Sequence, residues 1–251
     1  MIKFIGSFDT FESLPKAGMK EYAFVGRSNV GKSSLLNALV GQRIARTSNT
    51  PGRTQTINLF EWSAPAPAAG VGSRFCGPGG GFNESNNQND SDGLTNEPIP
   101  RATQTSAGAT PAARAGVTQN RESNGPVILA DLPGYGYARA PKTELDKWAM
   151  RLEKYLLHRT QLERLFILVD SRHGLKESDR DMMNFCDAHA IRYQIILTKL
   201  DKIPKSEIKN RESETECEVA KHGASASGVI ATSAEKKIGI EALRNEIVKN
   251  I

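Results

Sequence analysis

A chain of 251 residues is long enough to bury a sizeable core, as one large domain or two small ones. Its three cysteines (Cys76, Cys186, Cys217) have no CxxC spacing and cannot all pair, which excludes a disulfide framework and points to reduced thiols; no secretory leader or run of 18 apolar residues is visible, so a cytoplasmic protein without a membrane span is expected. The net charge of +5 is compatible with a polyanionic partner, although charge alone favours an ordinary solvated basic surface.

In chain order, an apolar strand-like run, Tyr22–Val25, feeds Gly26-Arg27-Ser28-Asn29-Val30-Gly31-Lys32-Ser33. This is GxxxxGK[ST], the loop whose backbone N–H groups cradle phosphate oxygens, and Ser34–Val40 continues from it as a helix. The helix N-terminus adds positive potential, Lys32 can bridge the outer phosphates and the Ser33 hydroxyl can hold Mg²⁺. Alone, the pattern predicts a polyphosphate and no more. A second strand, Gln55–Trp62, joins a third, Val127–Ala130, without a helix between them, so an antiparallel hairpin at the sheet edge is expected.

Between these two strands, Ser63–Gly125 has a different composition. Ala-Pro-Ala-Pro-Ala-Ala-Gly opens it, and it holds six of the chain's twelve prolines. Its few large apolar residues show no period, so it cannot bury enough surface to offset ordering and reads as a disordered insertion at the hairpin tip. It carries four arginines against five carboxylates, so the positive excess belongs to the rest of the chain.

Asp131-Leu132-Pro133-Gly134 follows the third strand. A carboxylate there can hold Mg²⁺, and the Gly134 N–H can reach a γ-phosphate. Thr143–His158 then places Leu145, Trp148, Ala149, Leu152, Tyr155 and Leu156 on one helical stripe. Strand Leu165–Asp170 leads to helix Ser178–His189, with Met182, Phe185, Cys186 and His189 facing inward. Strand Ile191–Thr198 ends in Thr198-Lys199-Leu200-Asp201. The Asp201 carboxylate can accept hydrogen bonds from guanine N1–H and the 2-amino group, while Lys199 lies along the base. Adenine lacks both donors and would leave a buried carboxylate unpaired, at about 1–3 kcal/mol. A solvated helix is expected within Ser206–Gly228. Strand Gly228–Thr232 leads into Thr232-Ser233-Ala234, a small turn whose N–H groups suit the guanine 6-oxo group, and Gly239–Val248 closes the chain as a helix. Four phosphate- and guanine-reading words in order, each at the C-terminal end of an expected strand, make a GTP/GDP site in a mostly parallel, six-stranded α/β sheet with helices on both faces and one antiparallel edge strand.

The words GRSNVGKSS, Thr50-Pro51-Gly52-Arg53-Thr54-Gln55 and Asp131-Leu132-Pro133-Gly134-Tyr135-Gly136-Tyr137-Ala138 resemble those of the EngB (YihA/YsxC) family of bacterial and organellar GTPases. The resemblance runs from about Phe4 to the C-terminus, apart from the insertion. It implies a Ras-like P-loop GTPase domain over residues 1–251, a role in assembly of the large ribosomal subunit, an older link to cell-division septation, and a monomer. It also implies that Gly52, Arg53, Thr54, Gln55 and Thr56 form the first switch, with Thr54 a second Mg²⁺ hydroxyl, and that Asp131–Gly134 opens the second. Thr198 stands where many GTPases have Asn, and Ala234 where relatives often have Ser.

Tyr135 occupies the position of the water-orienting Gln of Ras-type enzymes, so slow, assisted hydrolysis is expected through Lys32, Thr54, Gly134 and Asn29. Asn29 resembles the residue that helps hold a potassium ion in some related GTPases. Tyr135, Tyr137 and Trp148 are candidates for a partner surface, although Trp148, on the apolar helix stripe, fits the core better. His189 reads as a core or boundary residue. Arg139, Lys142, Lys147, Arg151 and Lys154 form a basic face, a solvated one by default, for which the resemblance implies contact with ribosomal RNA. The alternative reading is a nucleotide-sensing scaffold with negligible hydrolysis that recruits a protein through its insertion.

Overall fold

The computed structural model describes residues 1–16, 18–45, 56–63, 125–135, 142–226 and 228–249, with 142–148 described as backbone only. Gly52, Arg53, Thr54 and Gln55 of the expected first switch lie outside the described residues, as do nearly all of Ser63–Gly125 and the candidates Tyr137 and Arg139. The strands are β1 (Ile2–Phe8), β2 (Glu21–Gly26), β3 (Ile57–Trp62), β4 (Val127–Asp131), β5 (Leu162–Asp170), β6 (Tyr193–Thr198) and β7 (Ile230–Ala231). The helices are α1 (Lys32–Val40), α2 (Lys142–His158), α3 (Glu177–Ala188), α4 (Lys205–Val219) and α5 (Ile240–Val248).

The sheet order is β1-β3-β4-β2-β5-β6-β7. Strands β4, β2, β5, β6 and β7 are mutually parallel, as short apolar runs alternating with helices require. The described sheet has seven strands where six were expected. The additional strand, β1, pairs antiparallel with β3, Phe4 opposite Phe60 and Ile2 opposite Trp62. So β3 forms the expected antiparallel hairpin with β4 but is not the edge; β1 is. Nothing in the alternation of Ile2–Phe8 marks a strand, because an edge strand need not bury a whole face: its residues are half-buried or exposed, and its register slips between Phe4 and Gly6.

Apolar residues cover both faces. On one, Ala23 and Val25 of β2 pack with Leu152, Tyr155 and Leu156 of α2, Met183 and Cys186 of α3 and Val219 of α4. On the other, Tyr22 and Phe24 meet Leu35, Leu36 and Leu39 of α1 and Ile240, Leu243 and Ile247 of α5. This alternation along a single central strand is the pleat expressed as two cores. Helix α4 is solvated on most of its surface, as its acidic pattern predicts. Two inward readings fail: Ala149 and His189 are exposed, because the buried faces centre on Leu152, Tyr155 and Leu156 in α2 and on Met183 and Cys186 in α3. His189 instead lies on the ring of Phe185 at 4.6 Å.

Beneath β2, Glu21 is fully buried. Arg159 Nε and Nη2 reach its Oε2 at 2.9 and 2.8 Å, the Tyr155 hydroxyl donates to Oε1, and Arg159 Nη1 donates to the Pro15 carbonyl at 2.8 Å. Burial, and then the Glu21 charge, raise the Tyr155 phenol well above its ordinary value, so it remains a donor. A buried ion pair is most sensitive to losing one partner. Glu21→Ala should therefore destabilise the protein by about 3–5 kcal/mol in urea unfolding, and Tyr155→Phe by about 1–3 kcal/mol.

Candidate functional site

The chain turns from β2 into α1 at the centre of the sheet, where successive strands begin to be added on opposite sides; ligands of open α/β sheets bind at the carboxyl ends there. Gly26 ends β2 against its neighbour, and a Cβ on it would lie 2.8 Å from the Leu168 carbonyl. The loop then needs two left-handed residues, Asn29 (φ 63°) and Gly31 (φ 101°). Val30, buried, anchors it in the α1 core, and α1 begins at Lys32. The helix ends at Gly41 (φ 74°), whose N–H caps the Asn37 carbonyl at 3.0 Å. The Asn37 side chain then fastens the departing chain, accepting from the Ile44 and Ala45 amides at 2.8 Å and donating to the Ala45 carbonyl at 2.9 Å.

Strand β6 holds this loop from outside. The Thr198 hydroxyl lies 2.6 Å from the Val30 carbonyl and 3.2 Å from that of Val169; its single proton serves the nearer, well-placed Val30. Thr198 therefore braces the loop with the one group that a Thr-for-Asn exchange retains, a polar donor. Because C=O and N–H point oppositely across a trans peptide, the Gly31 N–H is turned away from Thr198. Lys199, itself left-handed (φ 59°), returns its ammonium to the Asn29 carbonyl, and its stem crosses Gly31 with Cε 3.5 Å from where a Cβ would stand.

Asp170, at the end of β5, was not among the expected site residues. Its Oδ2 accepts from Lys199 Nζ at 2.9 Å, and Arg172 grips it bidentately at 2.9 and 2.7 Å. Burial works to raise this carboxyl, but the hydrogen bonds from Arg172 and Lys199 prevail and hold it well below the usual carboxylate range. The available signal was position: Asp170 closes an apolar parallel strand just as Asp131 does.

Beside the loop, Asp131 ends β4 and pairs with Lys32 Nζ; both side chains are largely buried. The groups expected to hold Mg²⁺ and phosphate thus meet each other. Leu132 N donates to the Phe24 carbonyl at 3.0 Å and Tyr135 N to that of Gly26 at 3.1 Å. Between them a Cβ on Gly134 would stand 2.7 Å from the Gly26 carbonyl, so only glycine permits this approach. Tyr135 is buried, which removes it from the expected partner surface. In the basic face, Lys154 is taken up by Glu12 and lies 5.9 Å from the Phe11 ring, while the side chains of Lys142 and Lys147 lie outside the described residues. Thr56 sits just before β3, its hydroxyl 3.4 Å from Asn58 Oδ1. Pro133 is buried with Leu132, and Ser28 and Ser33 are half-buried on the loop.

On the far side, Asp201 follows Leu200 in a short 3-10 turn. Its Oδ1 accepts from the Ser233 hydroxyl at 2.5 Å. Its Oδ2 is buried and takes no aligned hydrogen bond among the described residues, although Lys202 Nζ lies 3.1 Å away. Burial works to raise the carboxyl, but Ser233 and Lys202 outweigh it and lower its pKa, so the acceptor form is present at neutral pH. Thr232 is tied to the Leu197 carbonyl through both its amide and its hydroxyl, at 2.7 and 2.8 Å. The Ser233 amide, expected to be free, donates to Ile238 at 3.0 Å in a reciprocal pair, and Ala234 follows it in the turn. Gly239 (φ 70°) closes this turn, where a Cβ would collide with the Ala231 carbonyl at 2.0 Å.

The lowered Asp170 carboxyl has a signed consequence. Its stabilising contribution is complete above the unfolded-state value of about 4 and is lost as pH falls through the lower folded-state value. Urea midpoints of the native chain should fall more steeply below about pH 4 than those of Asp170→Asn, with the two curves parallel near pH 7.

Comparison with known proteins agrees with this geometry. The family model described as 50S ribosome-binding GTPase matches residues 21–72. A probable GTP-binding protein EngB of Rhizobium johnstonii is 38% identical over 249 residues, spanning 99% of this chain and 91% of that protein. Among solved structures, a probable GTP-binding protein EngB has a TM-score of 0.52 at 20% identity, over 92% of this chain and 100% of that one. Era, in complex with MgGDPNP and nucleotides 1506–1542 of 16S ribosomal RNA, has a TM-score of 0.58 at 17% identity; 92% of this chain is covered, but only 56% of Era. The fold is thus the Ras-like P-loop fold, and the chain belongs to the EngB family of GTP-binding proteins, P-loop GTPases.

Proposed function

We propose that this GTPase is a slow molecular switch that assists assembly of the large ribosomal subunit, with the site residues in the following roles. The observation that carries the nucleotide assignment is the Asp201 carboxylate, held by Ser233 with its second oxygen unaligned to any donor among the described residues. It accepts from guanine N1–H and the 2-amino group, Lys199 lies along the base, and the Ala234 N–H meets the 6-oxo group, with Thr198, Leu200, Thr232 and Ser233 forming the walls. Gly26–Ser33 surrounds the phosphates, Lys32 leaves Asp131 for the outer phosphates, and the Gly134 amide reads the γ-phosphate. Gly52–Thr56, with Thr54 at its centre, completes the switch.

The residues present fit Mg²⁺: a hydroxyl at the first turn of α1 (Ser33) and a strand-end carboxylate (Asp131) are hard oxygen donors of the kind this ion takes. Ser33 and Asp131, with Thr54, would hold the ion, which supplies charge neutralisation on the phosphates when bound. A buried Tyr135 cannot orient the attacking water, which supports weak intrinsic hydrolysis. Asn29, exposed and left-handed beside the phosphates, supports K⁺ as the additional charge-stabilising element. Single-turnover hydrolysis should then be several-fold faster in K⁺ than in Na⁺ at equal ionic strength, and equal rates would remove this role.

The ribosomal reading rests on the family model's description and on the chain's net positive charge. The residues 63–125 act in this reading as a tolerated insertion, so their deletion should leave nucleotide binding and particle association unchanged. Asp201→Asn should weaken GDP binding by about 10- to 100-fold, because it removes one charge-assisted acceptor. It should also raise the preference for xanthosine over guanosine nucleotides, because the new amide donates to a 2-oxo group; calorimetric titration with both nucleotides measures this. In gradients, the chain with a non-hydrolysable GTP analogue should co-sediment with large-subunit particles and not with small-subunit particles; GDP should weaken the association. Co-sedimentation with neither particle would favour the scaffold alternative.

A further inference from the structure

Tyr135 and Asp179 form a buried contact that neither guanine recognition nor phosphate binding uses. The Tyr135 hydroxyl lies 2.8 Å from Asp179 Oδ1. Asp179 is fully buried in the first turn of α3, where its Oδ2 accepts from the Lys176 amide at 2.9 Å. The second residue of the phosphate loop, Arg27, brings its buried Nε to 3.9 Å from the same oxygen, and that Nε makes no hydrogen bond among the described residues. One carboxylate thus stands between the phosphate loop, the start of the second switch and α3. Burial, followed by the Asp179 charge, keeps the phenol protonated and therefore donating.

Tyr135 is held from three directions: its amide on the Gly26 carbonyl, its ring in the core beside α3, and its hydroxyl on Asp179. Gly134, immediately before it, is consequently pressed against the phosphate loop with no room for a side chain. We infer that Tyr135 and Asp179 are positioning residues that preset the Gly134 amide for a terminal phosphate, so that a nucleoside triphosphate gains this contact without first ordering the segment. The inference rests on Gly134 reading the γ-phosphate. A diphosphate does not reach Gly134, so the latch discriminates triphosphate from diphosphate. It also gives the tyrosine in the usual glutamine position a role that needs no contact with water.

The test is the affinity of the full chain, with Mg²⁺, for GDP and for guanosine 5′-(β,γ-imido)triphosphate in Tyr135→Phe, Asp179→Asn and the double variant. Loss of one buried hydrogen bond should weaken the triphosphate analogue by about fivefold or more while GDP affinity stays within about twofold. The double variant should lose less than the sum of the two single losses, because both substitutions act on the same contact. Equal weakening of both nucleotides, or no change in either, overturns the latch. Thermal melts accompany the titrations, and if Asp179→Asn does not fold, Tyr135→Phe decides alone, since it removes one oxygen and keeps the ring. Gly134→Ala separates the underlying reading. If it binds the triphosphate analogue as the native chain does, the γ-phosphate role of Gly134 fails; if it loses the analogue while Tyr135→Phe does not, only the latch fails.

Discussion

The site depends on holding an irregular loop open from the outside. Residues 27–31 have no ladder of their own, and two of them sit in left-handed backbone. Left to itself such a segment would collapse onto its own polar groups. Here its carbonyls are taken by the end of β6: Val30 by the Thr198 hydroxyl, Asn29 by the Lys199 ammonium. Lys199 adopts a strained left-handed conformation, and Asp170 fixes its charge. Strain of about 1–3 kcal/mol per such residue persists only where surrounding contacts over-determine the geometry. The contacts in this case come from two neighbouring parallel strands.

The same residues that hold this loop connect it to Asp201. Thr198 and Lys199 run directly into Asp201, and the turn after β7 orients Asp201 through Ser233. That turn is itself closed by the Ser233–Ile238 pair and by a glycine that no other residue could replace. Asp201 and the loop at 27–31 therefore share one frame. Residues 131–135 are attached to that frame from the other side, through Gly26 and through the buried Tyr135–Asp179 contact.

The central strands, the helices, the loop between β2 and α1 and the placing of Asp201 beside the turn at Ser233 were all legible in the sequence. Each is marked by a local pattern: an apolar run, a helical stripe, or a motif whose backbone geometry needs its own glycines. Strand β1 was not legible, because an edge strand need not bury a face and its register slips. The inward readings of Ala149 and His189 failed because a stripe gives a helix's buried arc only to within about one residue's rotation. Tyr135 was misplaced on the surface for a related reason: an aromatic beside a switch motif reads as a contact residue until the depth of its ring is known.

By itself the sequence determined the order of the central strands and the helices, the two-faced core and the guanine-nucleotide chemistry, since these follow from periodicity and from motifs that carry their own geometry. Only the tertiary structure decided which distant residues serve the site. No local pattern states that the strand-end carboxylate of Asp170 will meet a lysine 29 residues on, or that Tyr135 will find an acid, Asp179, 44 residues away. Parallel pairing sets strand ends side by side, and burial then obliges each polar group there to find a partner.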